Sequence, residues 1–174
     1  MCDSLNLTAQ SFVPALYAGR PGRERSEALR TTERNFSRVG AMFGAALVAT
    51  VATIPVLSRF FTADPAVRAA VGGAVPGLAG FFALSGLVCV GEGMLLGQKD
   101  LGFLRNAYMA YFFAVPYFLL RLKHRALAGV QDVGVGTMWG TFSVYQAIRC
   151  AIWYLRMKQL QRRNDKNDGA AALQ

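Results

Sequence analysis

Two stretches of this sequence run without a charge for as long as a bilayer core is thick. Val39 to Leu57 (VGAMFGAALVATVATIPVL) has 19 residues and Ala69 to Gly91 (AAVGGAVPGLAGFFALSGLVCVG) has 23. About 18 consecutive apolar residues mark a membrane span, and a soluble domain of this length does not need such runs. The chain is 53% hydrophobic and 17% charged, yet its mean hydropathy is only +0.29 because both tails are polar. The apolar excess is therefore concentrated in segments. A third segment, Ala107 to Leu120 (AYMAYFFAVPYFLL), has 14 residues and reaches spanning length by including Leu101 to Asn106, where Arg105 can snorkel to the interface. A fourth, Val133 to Leu155, is interrupted once, by Arg149. These runs predict an all-α, polytopic membrane helix bundle with four spans in residues 39–158.

The flanks complete the division of the chain. Residues 1–19 lack the basic start of a signal peptide or the arginines of a transit peptide and read as the end of a transmembrane helix, about Ser4 to Tyr17. Residues 20–38 form a basic loop and helix, with a Gly/Pro turn in AGRPGRE and a continuous helix from Arg23 through the first full span. Asp64 and Pro65 suit the cap and first turn of the next helix. GQKDLGF makes a short turn, residues 126–132 a loop, and the polar tail 159–174 is expected to be disordered. Prolines at 14, 55, 76 and 116 fall in or near helices, and glycines crowd the second span; both fit close packing of membrane helices, and the prolines also fit helices that bend during transport.

Charge orients these segments. The net charge is +9, and the spans divide the basic residues into thirteen on the side of the 20–38 segment and the tail against five on the other, with Arg149 inside a span. This positive-inside bias places the tail in the cytoplasm or the equivalent stroma. Arg30, Arg34 and Arg38 share one helical face with glutamates interleaved, the pattern of a solvated or headgroup-facing helix. Nucleic-acid binding would need aromatic interleaving or a recognition fold, and the sequence has neither.

Catalytic and metal-ligating patterns are missing. Cys2, Cys89 and Cys150 are an odd number without ligand spacing, His124 lies among arginines and a lysine, and no nucleophile elbow or phosphate-cradling loop occurs. The sequence predicts no enzyme, no metal and no bound cofactor. Ionisable residues at membrane depth are functional candidates, and there are two, Glu92 in VCVGEGMLLGQKD and Arg149 in AIRCAIWYLR. They lie on helices of the same direction, about 7 and about 10 Å from the same end at 1.5 Å per residue. An ion pair between them is therefore expected, serving to fix packing or, with Glu92 titrating, to couple transport; separate snorkelling is the alternative. Phe81, Phe82, Tyr108, Tyr111, Phe112, Phe113, Tyr117 and Phe118 either face lipid or line a cavity for planar organic molecules. Tyr108 and Tyr111 are the cavity candidates, because a hydroxyl in lipid wants a partner.

Four segments in order, SLNLTAQSFVPALYAGRPGRERSEALR, RFFTADPAV, GEGMLLGQKDLGF and AIRCAIWYLR, resemble the C-terminal half of the MATE family of multidrug and toxic compound extrusion transporters, and look most like the plastid-associated branch of the plant DETOXIFICATION proteins. The resemblance covers residues 4–158. It implies two six-helix lobes around a substrate cavity, alternating access, and coupling to a proton or sodium gradient. This chain corresponds to a partial C-terminal lobe, the end of the eighth helix plus the ninth to twelfth. The implied function is the C-terminal part of a cation-coupled exporter of organic compounds or xenobiotics, inactive alone and partnered by a separate N-terminal lobe. The implied location is a multi-pass place in a bilayer, the plastid envelope included. The competing reading is a non-transporting four-span scaffold that binds or regulates a full-length relative.

Overall fold

The structure, a computed structural model, describes residues 2–18, 22–129 and 133–171. Among them every regular element is a helix: α1 (Cys2–Ala18), α2 (Arg23–Ala52), α3 (Ile54–Phe61), α4 (Pro65–Gly97), α5 (Leu101–Leu127) and α6 (Val135–Ala171). Residues 19–21 of the expected Gly/Pro turn and 130–132 of the expected last loop lie outside the described residues.

The helix boundaries follow from local chemistry. Asp64 caps α4 by accepting from the Ala66 amide at 2.8 Å, and Pro65 occupies the first turn, where a missing N–H costs nothing. The helix expected to be continuous from Arg23 runs on to Phe61 with Thr53 still helical (φ −80°, ψ −17°), but its hydrogen-bond ladder is interrupted there. Pro55 cannot donate to the carbonyl four residues back, and its ring crowds that carbonyl. The Thr53 amide turns to Thr50 O at 3.1 Å, its hydroxyl reaches the same oxygen at 2.7 Å, and α3 starts afresh. Pro14, Pro76 and Pro116 are carried inside α1, α4 and α5. Lys99 takes φ 58° in the turn after α4, so the GQKD corner needs a left-handed residue and uses a lysine for it.

Helix α4 is the centre of the bundle, and its small residues let three neighbours approach. A Cβ at Gly40 of α2 would stand 2.8 Å from the carbonyl oxygen of Gly86. One at Gly77 would stand 2.5 Å from the backbone nitrogen of Gly140 in α6, and one at Gly93 would stand 2.6 Å from the Asn6 carbonyl oxygen of α1. Backbone-to-backbone contact of this kind is how helices gain dispersion energy where lipid removes the hydrophobic incentive to associate. By contrast α5, joined to α4 by the shortest turn, packs little against it. Its inner residues Phe103, Leu104, Tyr108 and Tyr111 turn toward α6.

The core gathers at one end. Ala9, Val13, Val88, Val90, Met94, Leu95, Leu104, Trp153 and Met157 form one buried cluster, drawn from the middle of α1 and α6, the last third of α4 and the start of α5. We call this the basic end, because the arginines of α2 and α6 lie beyond it. At the opposite, hairpin end, Phe60 and Phe61 of α3 are 82% and 86% exposed, and Phe118 and Leu120 of α5 are also exposed.

Two stretches are long and apolar enough to cross a membrane, Glu24–Phe61, which spans α2 and α3, and Pro65–Gly97, which is α4. Helices α5 and α6 have the length, about 40 and 55 Å at 1.5 Å per residue. They are more polar, α5 through Arg105, Asn106 and its tyrosines and α6 through Gln146 and Arg149. Residues 159–171 of the polar tail correct its expectation of disorder, and 172–174 lie outside the described residues. Helix α6 runs on to Ala171, and Asp168, only 2% exposed, is bonded by Arg25 and by the Ser26 hydroxyl. Arg30 joins Asp165 at 2.5 Å, and Asn164 donates to the Tyr17 hydroxyl at 2.6 Å. Partners 135 to 147 residues away could not be read from the tail's own composition.

Candidate functional site

Helices α4 and α6 share a polar seam. Ser85 and Glu92 are seven residues apart on α4, two helical turns, so they lie on one face; Gln146, Arg149 and Trp153 recur at three and four residues on α6 and do likewise. The two faces meet. Gln146 Nε2 donates to Ser85 Oγ at 3.3 Å, with both residues buried, and Ser85 in turn donates to the Phe81 carbonyl. Closer to the basic end, one turn on along α6 and two along α4, Arg149 Nη2 donates to Glu92 Oε2 at 2.7 Å, and each side chain is 18% exposed. A charge-assisted bond at this length is of the strong kind, and desolvation makes each partner costly without the other.

Aromatic rings surround the guanidinium. Its carbon lies 5.7 Å from the ring centre of Tyr108, 6.0 Å from that of Tyr111 and 5.6 Å from that of Trp153. The negative faces of the rings attract a cation at such range. The Tyr108 hydroxyl also accepts from Arg149 Nη2 at 3.2 Å. The rings brace one another edge to face, Tyr111 against Tyr145 at 5.2 Å and against Trp153 at 6.1 Å. Among the described residues, three buried polar atoms in this cluster find no partner: Arg149 Nε, Trp153 Nε1 and Tyr111 Oη. Such atoms cost free energy unless water or a ligand reaches them.

The structure thus brings together all four residues singled out from the sequence, Glu92, Arg149, Tyr108 and Tyr111. The tyrosines sit against Arg149 rather than in the larger opening between α5 and α6. That opening, a cleft of 610 Å³ toward the hairpin end, is lined instead by residues such as Phe118, Arg121, Arg125 and Thr141. Phe112 and Phe113 meet edge to face and are largely exposed. Sequence reasoning missed Trp153, Tyr145 and the Ser85–Gln146 bond. The signal was available in the spacing, because Gln146 and Trp153 share the face of Arg149.

Below the site, the basic end is clamped by charge. Arg156 donates to both oxygens of Asp100, at 2.6 and 3.1 Å, and lies over the Phe103 ring at 4.9 Å, which ties α6 to the turn between α4 and α5. Burial raises the Asp168 carboxyl, but bonds from Ser26 and Arg25 outweigh it and hold the group below its ordinary value of 3.8.

These features define an all-helical protein with two helices fit to cross a membrane and a charged, ring-lined seam between its two longest helices. Compared with protein-family models, curated proteins and solved structures, the chain finds no match.

Proposed function

We propose that this bundle is a multi-pass membrane protein and the C-terminal part of a cation-coupled exporter of organic compounds, of the MATE type its sequence resembles. It is not an enzyme. Helices α2 with α3, α4, α5 and α6 are the four spans, and the basic end faces the cytoplasm or stroma. The observation that carries the reading is the Glu92–Arg149 pair with its aromatic surround, a paired charge held among apolar helices next to unpartnered polar atoms. Intramembrane ionisable groups with a named partner are the usual marks of a substrate or ion path. The outward rings of α5 also support the reading, since an apolar face of that size suits lipid or a further helical lobe.

In this account Glu92 exchanges its bond to Arg149 for a coupling proton or sodium ion. Tyr108 and Tyr111 then orient a planar substrate by ring contact and hydroxyl bonds. The test is uptake of a planar fluorescent organic cation by vesicles carrying an imposed proton or sodium gradient. The chain is reconstituted first alone and then with an N-terminal lobe of a transporter of that family. Uptake only with both, lost in Glu92→Gln, is the expected result. No uptake in either arm would favour the non-transporting scaffold.

A further inference from the structure

The basic end holds a second cleft, of 590 Å³, between residues 30–37 of α2 and residues 158–165 of α6. Arg30 and Arg34 line it from α2, one turn apart, and Lys158 and Arg162 line it from α6, also one turn apart, with Glu33 and Asp165 completing the charged lining. Arg30 is committed to Asp165 at 2.5 Å. Among the described residues no carboxylate bonds Arg34 or Arg162. Two guanidinium forks from different helices are thus left in one concavity, beside the exposed ammonium of Lys158.

Charge and depth both restrict what fits. Four cations against two carboxylates leave a surplus of two positive charges when both acids are ionised. Burial raises the Glu33 carboxyl, against the pull of Lys158 and Arg30. A phosphate monoester carries about −1.5 to −2 at pH 7 and offers three acceptor oxygens, whereas a diester carries about −1. Arginine forks match phosphate oxygens in pairs. The cleft also sits at a defined level: Lys158 follows the apolar run ending at Leu155 by three residues, and Arg34 precedes the run beginning at Val39 by five. At 1.5 Å per residue these are offsets of about 4.5 to 7.5 Å, the level of headgroup phosphates beside a spanning helix.

We infer that the α2–α6 cleft is a binding site for a phosphate monoester, held by Arg34 and Arg162 with Lys158, whether it is carried on a lipid headgroup or on a soluble molecule. The site is independent of the Glu92–Arg149 seam and of the transport reading. Occupancy would bridge α2 and α6 where Arg25 and Arg30 already join them.

The test uses the full chain purified in a nonionic detergent, titrated calorimetrically with dioctanoyl phosphatidic acid, a monoester, with dioctanoyl phosphatidylglycerol, a diester, and with inorganic phosphate. Phosphatidic acid is expected to bind at least tenfold more tightly than phosphatidylglycerol. The Arg34→Gln/Arg162→Gln pair should lose at least tenfold in that affinity with helical content unchanged, while Arg121→Gln/Arg125→Gln at the hairpin end leaves it unaltered. Arg34→Lys/Arg162→Lys, which keeps the charge but not the forks, should lose about threefold and serves if the glutamine pair does not fold. Inorganic phosphate binding as tightly as phosphatidic acid assigns the site to a soluble phosphate, and binding of the lipid alone assigns it to a headgroup. Equal affinity for monoester and diester, no binding of either, or undiminished binding by the variants overturns the inference.

Discussion

The two ends of this bundle are built differently from one kind of material. At the basic end, α1, α4 and α6 converge on Trp153, Met94 and Leu95, and ion pairs at Asp100, Asp165 and Asp168 tie the helix ends together. At the hairpin end the same α4 and α6 still touch through Gly77 and Gly136, but α5 stands off behind a cleft and α3 buries none of its residues. Small residues alone do not close a bundle. Closure comes where backbone contact is joined by large side chains and by paired charges.

That difference can be broken most severely at the glycines. Gly86→Leu would drive a side chain into the carbonyl of Gly40 and force α2 off α4, and we expect a loss above about 3 kcal/mol, seen as loss of the monodisperse folded peak. Gly72→Ala, at the hairpin end, has open space around it and should be neutral or stabilising by up to about 1 kcal/mol in thermal unfolding. If the two behaved alike, the contrast between the ends would fail.

Glu92→Gln strands the Arg149 guanidinium and should destabilise the protein by about 2 to 3 kcal/mol, less than a fully buried pair because both groups are partly exposed. The double variant Glu92→Gln/Arg149→Gln should recover part of that loss, and a cycle showing simple additivity would deny the pair its coupling. Arg156→Ala removes a two-pronged bond and a ring contact at the basic end, with an expected cost of about 1 to 2 kcal/mol.

Acid sharpens the contrast more gently. Asp168 is held below 3.8 in the folded chain, so its contribution is fully present above 3.8 and is lost as pH falls through the lower folded value. Glu33 acts in the opposite sense, since its raised carboxyl favours the folded state as pH falls. The tail should therefore gain amide exchange below pH 3.8, before α4 does, and Asp168→Asn should already show that faster exchange at neutral pH.

The helices and the charged seam were legible in the sequence because each depends on short-range periodicity. The apolar runs marked α2 and α4, and depth arithmetic put Glu92 beside Arg149 with no coordinates. Pro55 marked a bend, but an unbroken apolar run does not show that the ladder is interrupted at Thr53 in particular. The folded tail escaped because its stability lies in Arg25, Ser26 and Tyr17, on elements far away in the chain. Charge-rich composition says only that a segment lacks a core of its own; it does not say that another segment cannot supply partners.

The asymmetry is most directly measured by spin-label distances between α5 and α6 in lipid nanodiscs, with Cys2, Cys89 and Cys150 replaced by alanine. One pair of labels is placed at the basic end, on Leu101 and Gln159, and another at the hairpin end, on Leu120 and Met138, all exposed positions. A narrow distribution is expected for the first pair and a broad one for the second. Two equally narrow distributions, or a broad one at the basic end, would contradict the asymmetry.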